Sequence, residues 1–238
     1  MARGLTDHLQ TLGMGEDAEG YLLGRGGEES LLTSLGVREW AVAPTRCPSA
    51  SFSKRYGERG QGLEGMVIFP LWAPSGTMVG FEGRSWRQKV ITGYRLPEAP
   101  WNPVLLNAPE CAVKLWAGGS AWIVEGAYDL FAMSRVIPKT DSVVSPLKAG
   151  LSKAHVRFFA RFCRNRVYLV YDNDESGRRA TLGGVDPLTK KKRHGAMGLL
   201  RQAGVNVIDY RYRGKDPGDV WSKGGQRELE SVFLGRCF

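Results

Sequence analysis

Two short apolar stretches, each ending in acidic residues, constrain this sequence more than any other feature. Trp122 to Val124 is followed directly by Glu125 and a glycine turn. Arg166 to Tyr171 is followed by Asp172 and Asp174, and then by a glycine. Runs of this length, rich in β-branched and aromatic residues, predict buried β-strands. If both belong to one parallel sheet, their acidic ends meet at its carboxyl edge, where open α/β sheets bind ligands.

Grouped carboxylates at such an edge favour a bound cation. Carboxylates that crowd together repel one another unless a positive charge offsets them, and Mg²⁺ takes oxygen ligands together with substrate phosphates. Asp172 and Asp174 are two residues apart, so in a regular strand they would face the same side. The other interpretation of Asp-Asn-Asp is a polar turn that caps a helix. Pairing with Glu125 favours the metal site, and the capping turn stays open as the alternative.

The motifs around these carboxylates resemble the Toprim domain shared by bacterial (DnaG-type) primases, topoisomerases and some nucleases. They are Val124-Glu-Gly-Ala-Tyr-Asp129 and Asp172-Asn-Asp-Glu-Ser-Gly177. Further segments resemble primase motifs and stand in the family's order: Tyr21-Leu-Leu-Gly-Arg-Gly26, Met66-Val-Ile-Phe-Pro70, Val79-Gly-Phe-Glu-Gly-Arg84, Leu106-Asn-Ala-Pro-Glu110 and Gly214-Lys-Asp-Pro-Gly-Asp219. The resemblance covers about residues 17 to 225, and the colinearity of the short motifs makes it specific.

The resemblance implies an α/β fold, in which an α+β N-terminal lobe precedes a Toprim domain with a mostly parallel sheet flanked by helices. We predict an N-terminal primase lobe with a basic surface over residues 1–115, a Toprim catalytic domain over residues 116–222, and a C-terminal helix over residues 223–238. Alternating strand and helix patterns in the second region agree with a parallel sheet covered by helices. Residues 1–15 are predicted to be a loose lead, and residues 66–81 a hairpin.

The function implied is that of a DNA primase catalytic core, a nucleotidyltransferase that makes short RNA primers from ribonucleoside triphosphates on single-stranded DNA. Two Mg²⁺ ions, replaceable by Mn²⁺, would activate the attacking hydroxyl and stabilise the triphosphate. Asp172 and Asp174 would hold metal, Glu125 would be an acid/base or a ligand, and Asp129 and Asp216 would be outer ligands. A Toprim-family nuclease, or a non-catalytic single-stranded nucleic-acid-binding module, is the alternative.

Basic residues are expected to bind the nucleotide and the template. The net charge of +9 favours an anionic partner, although many basic proteins bind none in particular. Arg84 is the leading candidate, with an ion pair to Glu82 or Glu110 as its other interpretation. The family usually has a lysine just before its Leu-Asn-Ser-Pro-Glu element, where this chain has Val104 and Leu105. The further candidates for nucleotide or nucleic-acid binding are Arg87, Lys89, Asn107, Lys114 and Lys148.

Three other basic segments each have a functional and an unremarkable interpretation. Residues 43–65 alternate cations with Phe52 and Tyr56, which would suit base stacking or simply a solvated loop. A basic insertion, Lys190 to Arg193, follows a glycine pair and a proline that interrupt the expected helix, and it would suit a nucleic-acid contact or simply a mobile charged loop. The helix predicted over residues 152–165 has a basic stripe, which is more typical of a solvated face than of a nucleic-acid contact: Lys153, Arg157, Arg161 and Arg164.

Composition excludes several classes of protein. No apolar run approaches the roughly 18 to 20 residues of a membrane span, and no secretory signal opens the chain, so we expect a cytoplasmic protein with no membrane contact. The four cysteines are scattered without a Cys-x-x-Cys pair, so we expect no zinc. Primases of this type usually carry a zinc ribbon and a helicase-binding module. We therefore expect a replicative helicase and a zinc-module protein to act in trans.

Overall fold

The computed structural model describes residues 2–41, 50–57, 60–96, 105–148, 150–185 and 192–235. Within those ranges, no helix combines the length and the apolar character needed to cross a membrane. Several predictions concern residues outside them, including Arg46, Arg59, Val104, and Lys190 and Lys191 of the basic insertion.

The first part of the chain forms helices around an antiparallel sheet. Strands β1 (Arg38–Glu39), β2 (Met66–Trp72), β3 (Met78–Ser85) and β4 (Ile91–Arg95) pair in that order. Before and between them lie α1 (Ala2–Thr11), α2 (Glu16–Gly24), α3 (Glu29–Leu35), α4 (Ala50–Tyr56) and a 3₁₀ turn (Gln61–Leu63). The predicted hairpin is present as β2 and β3, which pair from Met66–Ser85 to Trp72–Met78.

Two features of this part differ from the sequence interpretation. The expected loose lead is a helix, because Leu5 and Leu9 lie on one face of α1 and are buried with Leu12. The aromatic residues expected in a basic loop belong to α4, where Phe52 is fully buried against Trp40 and Tyr94. Phe52 and Tyr56 are therefore core residues, and neither is exposed for base stacking.

The second part of the chain is a four-stranded parallel sheet covered by helices, which confirms the predicted α/β fold class. Strands β5 (Ala121–Val124), β6 (Ser142–Val144), β7 (Val167–Val170) and β10 (Val207–Asp209) take the order β10-β7-β5-β6, with every neighbouring pair parallel. The helices are α5 (Ala108–Trp116), α6 (Ala127–Ser134), α7 (Lys153–Phe162), α8 (Glu175–Leu182), α9 (Ala196–Gln202) and α10 (Pro217–Leu234).

The two faces of this parallel sheet pack into different cores. On one face, residues of α6 and α10 join a core that continues into the antiparallel sheet, with Phe131 near Phe69 of β2. On the other face, α5, α7 and α9 enclose a second core around Ile123 and Leu169. The parallel strands consequently have helices on both faces.

The region after Gly177 departs from a continuous helix, as the glycine pair predicted. Helix α8 ends at Leu182, and a short antiparallel pair follows, β8 (Gly183–Val185) with β9 (Lys192–His194). The predicted domain limits stay a prediction. Helix α10 runs across residue 222, and Leu106 exchanges backbone hydrogen bonds with Ser145 at the end of β6.

Candidate active site

Glu125 and Asp172 stand at the carboxyl ends of adjacent strands, as the sequence predicted. Glu125 follows β5 and Asp172 lies two residues after β7, and these strands pair in parallel register. The backbone N–H of Asp172 donates to Oε1 of Glu125 at 3.3 Å. The Glu125 carbonyl oxygen accepts from the Ser145 hydroxyl at 2.8 Å, which connects this edge to the strand end of β6. Three parallel strands therefore contribute to one site.

Asp129 joins the same site from the first turn of α6. Its Oδ2 accepts from the Gly126 backbone N–H at 3.1 Å, which caps the helix, and its Oδ1 accepts from the Gly218 N–H at 3.0 Å. The carboxylate is 9% exposed. Because each oxygen is bonded to a different element, Asp129 links the start of α6 to the start of α10.

Asp174 is the N-cap of α8. Its Oδ1 accepts from the Gly177 N–H at 2.8 Å, which is the capping turn that the sequence left open as an alternative. Gly177 itself packs on the backbone of Asp172, since a Cβ at this position would lie 2.1 Å from the Asp172 carbonyl oxygen. Asp174 is exposed, so its capping role leaves its other oxygen open to solvent.

Asn173 brings the fifth carboxylate, Asp216, to this edge. Its Nδ2 donates to the carbonyl oxygens of Tyr212 at 2.7 Å and Gly214 at 2.9 Å. Its backbone N–H donates to the carbonyl oxygen of Lys215 at 2.8 Å. These bonds hold the loop after β10 against the end of β7. Asp216 then caps α10 by accepting from the Asp219 N–H at 2.7 Å.

Three of these carboxylates, Glu125, Asp129 and Asp172, have raised pKa values. Burial raises the pKa of Asp172 to about 7, and the neighbouring charges of Glu125, Asp129, Asp216 and Asp174 add to this. Burial and the Asp216 charge raise the pKa of Asp129 to about 6, against the lowering effect of its backbone hydrogen bonds. Burial also raises the pKa of Glu125, and the Asp174, Asp129 and Asp216 charges act in the same direction. The edge thus concentrates negative charge, which is offset only in part by the Lys215–Asp216 ion pair at 3.5 Å and by the Arg84 charge near Asp129.

The residues of this edge fit a divalent cation. The donors are carboxylate oxygens, which Mg²⁺ and Mn²⁺ prefer. Oδ1 of Asp172 is buried and has no hydrogen-bond partner within the described residues, so it has a free lone pair at the centre of the cluster. Across that same part of the chain, no group of three or more acidic, histidine or cysteine side chains is arranged to hold a metal ion.

The Tyr128 ring lies beside the acidic edge, and two guanidinium groups stack over it. Arg84 of β3 lies 5.2 Å from the centre of the Tyr128 ring, and its charge lowers the pKa of the neighbouring Asp129. Arg84 also pairs with Glu82, the interaction that the sequence offered as its other interpretation. Arg25 lies 4.7 Å from the same ring. Arg25 was not among the predicted site residues, although the Tyr21–Gly26 motif that contains it was recognised.

The remaining predicted cations lie in different places. Arg87 and Lys89 are exposed in the turn between β3 and β4, where Arg87 stacks on Trp86 at 4.4 Å from the ring centre. Trp86 is 6.5 Å from Tyr21, which in turn contacts Tyr128, so this turn is connected to the acidic edge by aromatic rings. Lys148 is exposed after the carboxyl end of β6.

Asn107 and Lys114 are held along β6 by hydrogen bonds to its backbone and to the residue before it. The Asn107 amide donates to the Val143 carbonyl oxygen at 3.1 Å, and the residue is buried with a left-handed backbone conformation. Lys114 pairs with Glu110 at 2.8 Å and donates to the Asp141 carbonyl oxygen at 3.0 Å, just before β6 begins. Both side chains stabilise the edge of the sheet in this arrangement, and Lys114 lies at its amino end.

Residues 122–220 match the family model described as Toprim-like, a span that contains all five carboxylates. The DNA primase of Aquifex aeolicus (strain VF5) is 27% identical over 183 residues, which cover 70% of this chain and 32% of that protein. The DNA primase of Clostridium acetobutylicum is 29% identical over 175 residues, which cover 67% of this chain and 25% of that protein. The chain therefore spans less than a third of the length of these relatives.

The fold is also that of a solved structure, described as the DnaG primase catalytic domain bound to ssDNA. The TM-score is 0.62 at 17% identity, and the similarity covers 98% of this chain and 80% of the other. These comparisons confirm the fold class and the family resemblance inferred from the motifs.

Proposed function

We propose that the chain is the catalytic core of a DNA primase, because residues 122–220 match the Toprim-like family model and the fold is similar to that of the DnaG primase catalytic domain. Its activity would be that of a nucleotidyltransferase, joining ribonucleoside triphosphates into short RNA primers on a single-stranded DNA template. At each addition a hydroxyl would attack the α-phosphate and displace pyrophosphate. The observation that carries the proposal is the gathering of five carboxylates at one sheet edge beside Arg25 and Arg84.

Glu125 is suited to accept the proton of the attacking hydroxyl. Its Oε1 is oriented by the Asp172 N–H, which leaves Oε2 for the reacting group. Its raised pKa brings it nearer to the neutral range, where a general base is most effective. Because Glu125 is partly buried between two strand ends, its side chain is positioned before the substrate arrives.

Arg25 and Arg84 are suited to hold the triphosphate. Both guanidinium groups lie within 5.2 Å of the Tyr128 ring centre, so the ring fixes two positive charges next to the carboxylates. Guanidinium groups bind phosphate oxygens with two parallel hydrogen bonds, and this orients the phosphate as well as attracting it. Arg87, Lys89 and Lys148 are exposed cations that would extend this surface towards the template.

Asp172, Asp174 and Glu125 would hold Mg²⁺ or Mn²⁺, with Asp129 and Asp216 behind them. When bound, the cation supplies positive charge that favours ionisation of the hydroxyl and stabilises the triphosphate. Asp129 is suited to the supporting role because both of its oxygens already accept backbone hydrogen bonds. The proposed partners are single-stranded DNA, a replicative helicase and a zinc-module protein, and the proposed location is the cytoplasm.

Incorporation of a labelled ribonucleotide on a single-stranded DNA template, with Mg²⁺ or Mn²⁺, tests the proposal directly. Glu125→Gln should abolish incorporation while single-stranded DNA affinity stays within a few fold, because the carboxylate acts on the reacting centre. Glu64→Gln, at an exposed glutamate after the 3₁₀ turn, is the matched control. Metal-dependent cleavage of the template without incorporation would instead indicate a Toprim nuclease, and binding without either activity a non-catalytic module.

A further inference from the structure

The outer face of α7 carries a row of cations that the proposed catalytic site does not use. Helix α7 buries Phe158 and Phe159 against the parallel sheet, so the opposite stripe faces solvent. Four basic residues, which we call the α7 basic row, are exposed on this side at the spacing of about one helical turn or just past the helix end: Lys153, Arg157, Arg161 and Arg164. Within the described residues, none of the four forms an ion pair.

An exposed tryptophan stands at the end of this row. Trp116, the last residue of α5, is 59% exposed, whereas Trp40 is buried in the core. The guanidinium of Arg164 lies 4.1 Å from the centre of the Trp116 ring, and Asn165 donates to the Gly118 carbonyl oxygen at 3.3 Å. The guanidinium therefore covers part of one face of the ring, and the rest of the Trp116 side chain stays exposed to solvent.

The α7 basic row extends from one end of the parallel sheet to the other. Helix α7 connects the carboxyl end of β6 to the amino end of β7, so it runs antiparallel to both strands. Lys153 therefore lies at the end of the sheet that carries Glu125 and Asp172, and Arg164 lies at the opposite end beside Trp116. From Lys153 to Arg161 the helix spans about 12 Å.

These features fit a single strand of nucleic acid better than other anionic partners. Cations at the interval of a helical turn can follow successive phosphates, and every base has a face that can stack on an exposed aromatic ring or guanidinium. A duplex would hide its bases from Trp116. An acidic protein segment would use the cations but would gain no base stacking from the ring.

We propose that the α7 basic row and Trp116 form a second binding surface for single-stranded nucleic acid, outside the catalytic edge. The strand would run along α7 and stack a base on Trp116. The inference rests on the proposed function only for identifying that strand as the template.

Fluorescence anisotropy with labelled dT oligomers, in EDTA and without ribonucleotides, tests this surface separately from catalysis. Two lengths are compared, about 8 and about 30 nucleotides, because the short one can occupy a single site only. Arg157→Ala with Arg161→Ala should lower the slope of log affinity against log salt for the long oligomer by about 1.4, at about 0.7 for each lost contact. The control pair, Lys139→Ala with Arg227→Ala, removes the same charge from exposed positions elsewhere and should leave the slope unchanged.

Trp116→Ala should weaken binding of the long oligomer about tenfold, because one base loses its stacking partner. The salt slope should stay as in the wild type, and Trp116→Phe should restore most of the affinity. Equal slopes for the two double variants, or unchanged affinity in Trp116→Ala, would overturn the proposal and leave this face to an acidic protein partner. Ribonucleotide incorporation is measured separately, so failure of the primase proposal would not be mistaken for failure of this one.

Discussion

The backbone N–H of Asp172 donates to Oε1 of Glu125, and this bond connects the residues that follow β7 and β5 at the acidic edge. The bond orients the Glu125 carboxylate while the Asp172 carboxylate stays unpaired within the described residues, with Oδ1 buried. The Glu125 carboxylate is thus held in position, whereas Oδ1 of Asp172 has no hydrogen-bond partner within the described residues. The predictions below separate these roles.

The free energy of unfolding should fall as the pH rises from about 4 to about 7 when divalent cations are removed with EDTA. The pKa of Asp172 is about 7 in the folded state and 3.8 as its ordinary value, so the folded state binds more protons in this interval. Asp129, with a pKa of about 6, acts in the same direction. Thermal unfolding of Asp172→Asn should show a shallower decline and a higher Tm than wild type at pH 8. Superimposed pH profiles would contradict this.

Asp174→Asn should keep the stability of α8 and still lose primer synthesis. An asparagine oxygen can accept the Gly177 N–H as the aspartate does, but it brings no charge to a cation. Asp174→Ala should lose about 1 kcal/mol of stability in addition. Ser152→Ala, which removes the cap of α7, is the control for stability, since Ser152 accepts from the His155 N–H at the start of a different helix. Full activity in Asp174→Asn would reduce Asp174 to a capping residue.

Gly177→Ala should lower both stability and activity, although alanine is the better helix former. The added Cβ would lie 2.1 Å from the Asp172 carbonyl oxygen, so the end of β7 must move. Gly198→Ala in α9 meets no atom within 4 Å and should stabilise by about 0.5–1 kcal/mol. Chemical denaturation of both variants, with activity at matched folded fraction, distinguishes them. Equal stability and equal activity of the two variants would show that the structure accommodates a Cβ at position 177.

Arg84→Ala should destabilise the fold by about 2 kcal/mol, because the buried Glu82 loses its charge partner. Burial already raises the pKa of Glu82 despite Arg84. Glu82→Gln combined with Arg84→Ala should regain most of this stability and none of the primer synthesis. Glu82→Gln alone serves as the control and should retain activity. If the double variant regains activity, Arg84 acts only by neutralising Glu82.

The sequence determined those parts of the protein that depend on short-range patterns. The strands ending at Val124 and Val170 follow from apolar runs bounded by acid and glycine, and the end of α3 follows from Gly36, which adopts the left-handed conformation there. The grouping of Glu125 with Asp172 was also predictable, since parallel neighbours align their carboxyl ends.

Other features needed the tertiary structure. From the sequence, Phe52 and Tyr56 were expected to be exposed aromatic residues among cations. In the structure both are buried in the core around Trp40, because the free energy gained by burying aromatic surface outweighs the polarity of the neighbouring residues. The sequence interpretation did not include helix α1, although its leucines have helical spacing. Such a short helix is stabilised mainly by packing of its apolar face, and the core on which it packs forms only in the tertiary structure.

The positions of the basic residues also depend in part on the sequence and in part on the tertiary structure. Asn107 and Lys114, which the sequence predicts as binding residues, form hydrogen bonds along β6, and their role in binding stays a prediction. Arg25, outside the predicted set, lies over Tyr128. Residue type and spacing determine which secondary structure forms and which charges are available. Which end of the sheet each charge reaches depends on how the helices pack and cross, because contacts between residues distant in the chain have no local signature.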